Sequence, residues 1–153
     1  MGLILFSDQI ELFIPPKKGK SHVLRIIREL LEFSPKSKKT DLAFALKYLT
    51  NVMKKKAIVF VLSDFITDDY LQTLRITGKK HDLTGMQMED AETGKLQLVN
   101  TQSKKVRLNY GKFYQERVDY FQTTFSKSGC GVLNCRVDES YVKKLLGYFK
   151  RRG

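Results

Sequence analysis

Ala57-Ile58-Val59-Phe60-Val61-Leu62 runs directly into Ser63-Asp64-Phe65, so an apolar, β-branched stretch ends on a carboxylate where the chain must turn. An unbroken apolar run bounded by turn residues is the pattern of a strand buried on both faces, the usual state of strands in a parallel sheet. Open parallel sheets bind ligands in the crevice beyond the carboxyl ends of their strands. That puts Asp64, with Ser63 before it, where such a domain keeps its chemistry.

Upstream, Leu3 to Phe6 and Ile10 to Ile14 read as a hairpin around Ser7-Asp8-Gln9, stopped by Pro15-Pro16. Apolar positions Val23, Leu24, Ile26, Ile27, Leu30 and Leu31 recur at helical spacing from a Ser21 cap towards Pro35. Thr40-Asp41 opens a second helix with a stripe of Leu42, Ala45, Leu46 and Leu49. Downstream, Thr67-Asp68-Asp69 starts a helix carrying Tyr70, Leu71, Leu74 and Ile76, ended at Gly78. Asp82 to Met88 is a further strand, and a turn over 90–95 feeds Leu96 to Val99 in an outlying β-ribbon over 89–101. Val118, Phe121, Thr124 and Phe125 mark a long helix closed at Gly129, and Val132 to Val137 is a last strand. Asp138 caps a final helix with Tyr141, Val142, Leu145, Leu146 and Phe149 on its inner face. The alternation predicts an α/β fold: a doubly wound, mainly parallel sheet with an antiparallel edge hairpin. At 153 residues, a single domain over 1–153 is expected.

The formal net charge is +12, gathered in clusters such as Lys17-Lys18, Lys54-Lys55-Lys56 and Lys150-Arg151-Arg152. These clusters fall at element ends, with no interleaved aromatic platform, so nucleic-acid binding is disfavoured and an acidic protein surface stays open. Cys130 and Cys135 match neither a redox pair nor a zinc framework and read as buried thiols. No apolar stretch approaches a membrane span and no signal peptide is evident, which predicts a cytoplasmic protein. An apolar strand so close to Met1 suggests the C-terminal part of a longer protein.

Five segments in order carry a family resemblance: Gly2 to Phe6; Pro15-Pro16-Lys17-Lys18-Gly19 with His22; Lys39-Thr40-Asp41-Leu42 with Ala45-Leu46; Val61 to Phe65; and Asp138 to Val142 with Phe149 to Arg152. Together they resemble the von Willebrand factor A-like domain of the bacterial domain-of-unknown-function family fifty-eight. The resemblance implies a Rossmann-like domain whose top edge can carry a metal-ion-dependent adhesion site. By position Thr40 resembles the threonine of its second loop and Asp64 the aspartate of its third, coordinating Mg2+ or Mn2+, with Asp41 and Ser63 beside them as partner-binding residues. It further implies an association with MoxR-type AAA+ ATPases in complex assembly.

The departures are specific. No Asp-x-Ser-x-Ser loop occurs, and the nearest segment, Asp138-Glu139-Ser140, has Val at position 142. The chain therefore reads as lacking the first strand of the family, and the stretch from His81 to Asp90 is shorter than usual. Thr40 reads equally as a helix cap or a ligand, and Asp41 also as a first-turn carboxylate facing the helix dipole. The expectation is a non-catalytic protein-interaction module with an incomplete metal site. The alternative is a magnesium-dependent hydrolase or phosphoryl-transfer enzyme using Asp64, for which only Asp8 and Asp90 are even loosely placed as further carboxylates.

Overall fold

The computed structural model describes residues 1–67, 69–89, 104–136 and 140–152. Five strands and five helices occur among them: β1 Leu3–Phe6, β2 Ile10–Ile14, α1 Lys20–Glu32, α2 Leu42–Val52, β3 Ile58–Ser63, α3 Leu71–Lys80, β4 Asp82–Glu89, α4 Lys104–Lys127, β5 Gly131–Arg136 and α5 Tyr141–Arg152. The expected ribbon over 89–101 and the Asp138 cap lie outside the described residues, apart from Glu89 at the end of β4. The α/β class is as expected. The chain divides into two compact units, Met1–Lys55 with Thr67–Thr77, and Lys56–Ile66 with Gly78–Gly153.

In the first unit β1 and β2 pair antiparallel, Leu3 opposite Ile14 and Leu5 opposite Leu12, with an irregularity at Leu5/Phe6. The hairpin forms a sheet of its own. Its turn is tied by Ser7, whose hydroxyl donates to Glu11 Oε1 at 2.7 Å. That bond, foremost, holds the Glu11 carboxyl below the ordinary carboxylate range. In α2 the apolar stripe is as read: Leu42, Ala45, Leu46 and Leu49 are all buried.

Helix α1 departs from expectation. Gly19, at φ 111°, is its N-cap with no side-chain cap, and Ser21 lies inside the helix. Only glycine adopts that backbone without strain, so the start is set two residues earlier than a Ser21 cap would set it. Of its apolar stripe only Ile26 is buried, while Leu24, Ile27, Leu30 and Leu31 are exposed.

In the second unit β3, β4 and β5 form a parallel sheet in that order. Neighbouring residues across a parallel ladder share a face and alternate along each strand. One face carries Phe60, Thr84, Met86, Leu133 and Cys135, with Leu145 and Tyr148 of α5 packed on it. The other carries Val61, Gly85 and Val132. There, a Cβ on Gly85 would meet the Phe121 and Phe125 rings of α4. Helices thus cover both faces, the doubly wound arrangement.

Two sequence expectations are corrected here. Gly78 does not end α3, which continues to Lys80; it is a close approach, since a Cβ there would lie 2.7 Å from Cys130 Sγ. In α5 Leu145 faces inward as expected, but the buried residue is Tyr148, whereas Tyr141, Val142, Leu146 and Phe149 are exposed. The cause is polar: the Tyr148 hydroxyl bonds Thr84 Oγ1 at 2.8 Å and accepts from Arg152 at 3.0 Å. It sits over Gly131, where a side chain would occupy its place. Arg152 also pairs with Asp82 at the start of β4.

His81, next to that start, is buried; its Nδ1 accepts from the Ala57 amide at 3.3 Å while Nε2 has no partner. Burial, then the nearby Lys80 charge, hold its pKa below the ordinary 6.5. The unfolded chain therefore binds the proton first on acidification, so stability is full above pH 6.5 and is lost as the pH falls below it. Urea midpoints are expected to drop between pH 7.5 and pH 5.5, with a shallower drop in His81→Gln. A pH-independent midpoint over that window would remove His81 as the cause.

Candidate functional site

β3 ends on Ser63, and the next residues fold their side chains over the turn. Ser63 Oγ accepts from the Phe65 amide at 3.0 Å and donates to Asp64 Oδ1 at 3.4 Å. The same Asp64 oxygen accepts from the Ile66 amide at 3.1 Å. This is an aspartate-initiated turn, the local bonding that short polar side chains offer a backbone leaving a strand. Asp64 itself is exposed. The turn therefore fixes one carboxylate oxygen and leaves the other facing solvent.

Phe65 holds this arrangement from below. It is at φ 56°, among the described residues the only non-glycine in the left-handed region, a conformation costing an L-residue about 1–2 kcal/mol. Its ring is fully buried, stacked on Phe121 at 4.0 Å and edge-on to Phe125 at 5.3 Å. Burying a phenylalanine ring contributes about 1.5–3 kcal/mol, enough to offset the backbone cost. Strain of this kind persists where surrounding packing over-determines it.

Across the sheet at the same level, Ser63 is in register with Gln87 and Gln87 with Asn134, a polar row near the carboxyl ends of three adjacent strands. Gln87 is 1% exposed, and Gln87 Oε1 and Asn134 Oδ1 are buried without a hydrogen-bond partner. Sequence reasoning passed over both residues. The available signal was a polar side chain set between apolar neighbours, Met86-Gln87-Met88 and Leu133-Asn134-Cys135.

Thr40 and Asp41 belong to the first unit. Asp41 is the N-cap of α2, its Oδ1 accepting from the Phe44 amide at 2.8 Å, and its own amide donates to the Ser7 carbonyl at 3.0 Å. The cap reading of Thr40 is thereby corrected: the shorter carboxylate one residue on reaches the third amide of the helix. Thr40 is exposed, and its carbonyl accepts from Thr67 Oγ1 at 3.0 Å. Asp41→Ala is expected to destabilise the first unit by about 1 kcal/mol and Thr40→Ala by much less, as read from denaturant midpoints. Equal effects would overturn the assignment of the cap.

Magnesium demands oxygen ligands in near-octahedral order. Among the described residues no group of three or more His, Cys, Asp or Glu side chains is placed to hold a metal ion. At the end of β3 one Asp64 oxygen and the Ser63 hydroxyl are engaged in the turn. Two donors of this kind leave such a shell incomplete.

The model of the family described as "Protein of unknown function DUF58" matches residues 1–119. The chain belongs to this family. The DUF58 match takes in Thr40, Asp41, Ser63, Asp64 and Gln87, and stops before β5, so Asn134 and the similarity read in residues 138–152 lie outside it. No curated protein and no solved structure matches this DUF58 chain significantly. Among its described residues no helix is long and apolar enough to cross a membrane.

Proposed function

We infer that the chain is a non-catalytic interaction module that presents the turn after β3 to a protein partner, with Asp64 as the contacting carboxylate. The observation that carries this reading is Asp64 itself: exposed, oriented by the Ile66 amide, and seated on a strained, fully buried Phe65. An exposed acid on a pre-organised turn suits recognition, because little ordering entropy is lost on binding. Family resemblance to von Willebrand factor A-like domains extends the reading to a MoxR-type AAA+ ATPase as partner, in complex assembly. Binding in this form needs no divalent ion, since the exposed carboxylate oxygen can accept from a lysine or arginine of the partner.

Surface plasmon resonance against a MoxR-type ATPase from the same genome tests the reading. Asp64→Ala is expected to weaken binding at least tenfold, about 1.4 kcal/mol, with the circular dichroism spectrum unchanged. Equal affinity of the two forms would take Asp64 out of the interface. A screen of phosphate esters with magnesium addresses the enzymatic alternative: turnover abolished in Asp64→Asn would replace the binding module with a hydrolase.

A further inference from the structure

The amino ends of the three parallel strands gather positive charge from separate segments of the chain. Lys56 stands just before β3, and Lys79 and Lys80 close α3 immediately ahead of β4. Lys127 is the last residue of α4, on the way into β5. Ile58 lies opposite Asp82 and Thr84 opposite Gly131, so these starts sit along one end of the sheet. α5 brings Lys150 and Arg151 to the same end, because Tyr148 bonds Thr84 and Arg152 bonds Asp82.

Lys56, Lys79, Lys127, Lys150 and Arg151 are all exposed. Lys80 is half-buried beside His81, and Arg152 is bound to Asp82, so neither adds to that set. Asp82 is the one acid at this end among the described residues of the unit, and Arg152 engages it. Asp64 and Glu89 belong to the opposite, carboxyl ends of β3 and β4. Glu116 and Asp119 are on α4, and Asp119, the nearer, lies about 12 Å back along the helix from Lys127, beyond a Debye length of about 8 Å. Basic residues at helix ends ordinarily compensate the helix dipole. Three helices finish here, each carrying about half a unit of negative charge, which leaves most of the five exposed charges without an opposite.

The kind of cation and its layout select the occupant. Four of the five are lysines, strongly hydrated point charges, whereas planar carboxylates and phosphates are read by arginine forks, and lysine is depleted from protein interfaces. No stacking platform for bases accompanies them: Phe149, the exposed ring at this end, is turned edge-on to Phe60. α4 and α5 lie on opposite faces of the sheet, so Lys127 and the Lys150-Arg151 pair spread the charge over an area and not along a line. We propose that this end of the unit docks peripherally on an anionic lipid surface through Lys56, Lys79, Lys127, Lys150 and Arg151. Lipid headgroups redistribute around such an area, and each lysine or arginine near them adds to the attraction. Docking of this kind needs no helix that crosses the membrane. It leaves Asp64, at the other end of β3, facing away from the lipid, and it does not rest on that contact.

The test sediments the full chain with vesicles at about 0.15 M salt. It is expected to pellet with phosphatidylcholine–phosphatidylserine vesicles, to stay in solution with phosphatidylcholine alone, and to be released by high salt. The pair Lys127→Gln with Lys150→Gln should weaken partition about tenfold or more, with an unchanged circular dichroism spectrum. The pair Lys112→Gln with Lys143→Gln removes the same charge from exposed positions of the same unit away from the strand starts, and should leave partition within about twofold of the parent. Acetylation of surface amines, read by mass spectrometry, should slow at Lys56 and Lys79 when the acidic vesicles are present and stay constant at Lys112. Failure to pellet with acidic vesicles, or equal losses in the two paired variants, would overturn the proposal, the second outcome leaving net charge as the whole cause. Duplex DNA or a polyglutamate peptide bound through Lys127 and Lys150 under conditions where vesicles are not would give this end to another polyanion and overturn it as well.

Discussion

In a Phe121→Ala variant the unfolding free energy is expected to fall by about 3–5 kcal/mol, the range for removing a fully buried phenylalanine side chain. Phe121 has no exposed surface, stacks on Phe65 at 4.0 Å and lies 4.8 Å from Phe125. The space left behind cannot readily close. Phe65 is held on a left-handed residue at the end of β3, and Phe125 is fixed on α4 over Gly85. The loss is also expected to reach the candidate site. With the stacking partner gone, the strained backbone at Phe65 loses its support, so the Phe65 and Ile66 amides should exchange faster than those of β4. Chemical denaturation and hydrogen exchange measure the two effects. A loss below about 1 kcal/mol, the scale of an ordinary surface change, would mean that the three rings do not form a packed cluster.

Gly85→Ala is expected to destabilise by about 1–3 kcal/mol from the opposite direction, by overfilling. A Cβ there would lie 2.6 Å from Phe121 Cε2 and 2.6 Å from Phe125 Cε1. Neither is the free end of a flexible side chain, so α4 must move away from the sheet. The double variant Gly85→Ala with Phe121→Leu should be less destabilised than the sum of its parts, because the smaller side chain makes room for the methyl group. Strict additivity in that cycle would show that the helix shifts as a whole and that no local contact is responsible.

How much of this was readable beforehand depends on the kind of signal. β3 announced itself through a continuous apolar run, β4 and β5 through shorter apolar stretches broken by Gln87 and Asn134, and the α2 stripe of Leu42, Ala45, Leu46 and Leu49 is buried as its spacing dictates. Helix α5 was misjudged because its apolar residues span a wide arc. Spacing shows that such a helix has an inner side, but the Thr84 hydroxyl and the missing side chain at Gly131 choose Tyr148 for it. At the start of α2, two adjacent capping residues compete, and only the reach to the Phe44 amide separates Asp41 from Thr40. Asp64 was legible as a strand-end carboxylate. The conformation beneath it was not, since a phenylalanine in the left-handed region contradicts local preference and is imposed by rings from a helix far along the chain.

The two cysteines described as buried have a practical meaning for this sheet. Cys130 lies immediately before β5 and Cys135 near its far end. Burial, then the Asp82 charge, push the Cys130 thiol above its ordinary range, and only the thiolate is reactive. Each sulfur is thus shielded in the native state, and its modification by a soluble disulfide reagent reports how often its own end of β5 comes apart. The protein carries two native timers on one strand, able to show which end of the sheet lets go first without any introduced label.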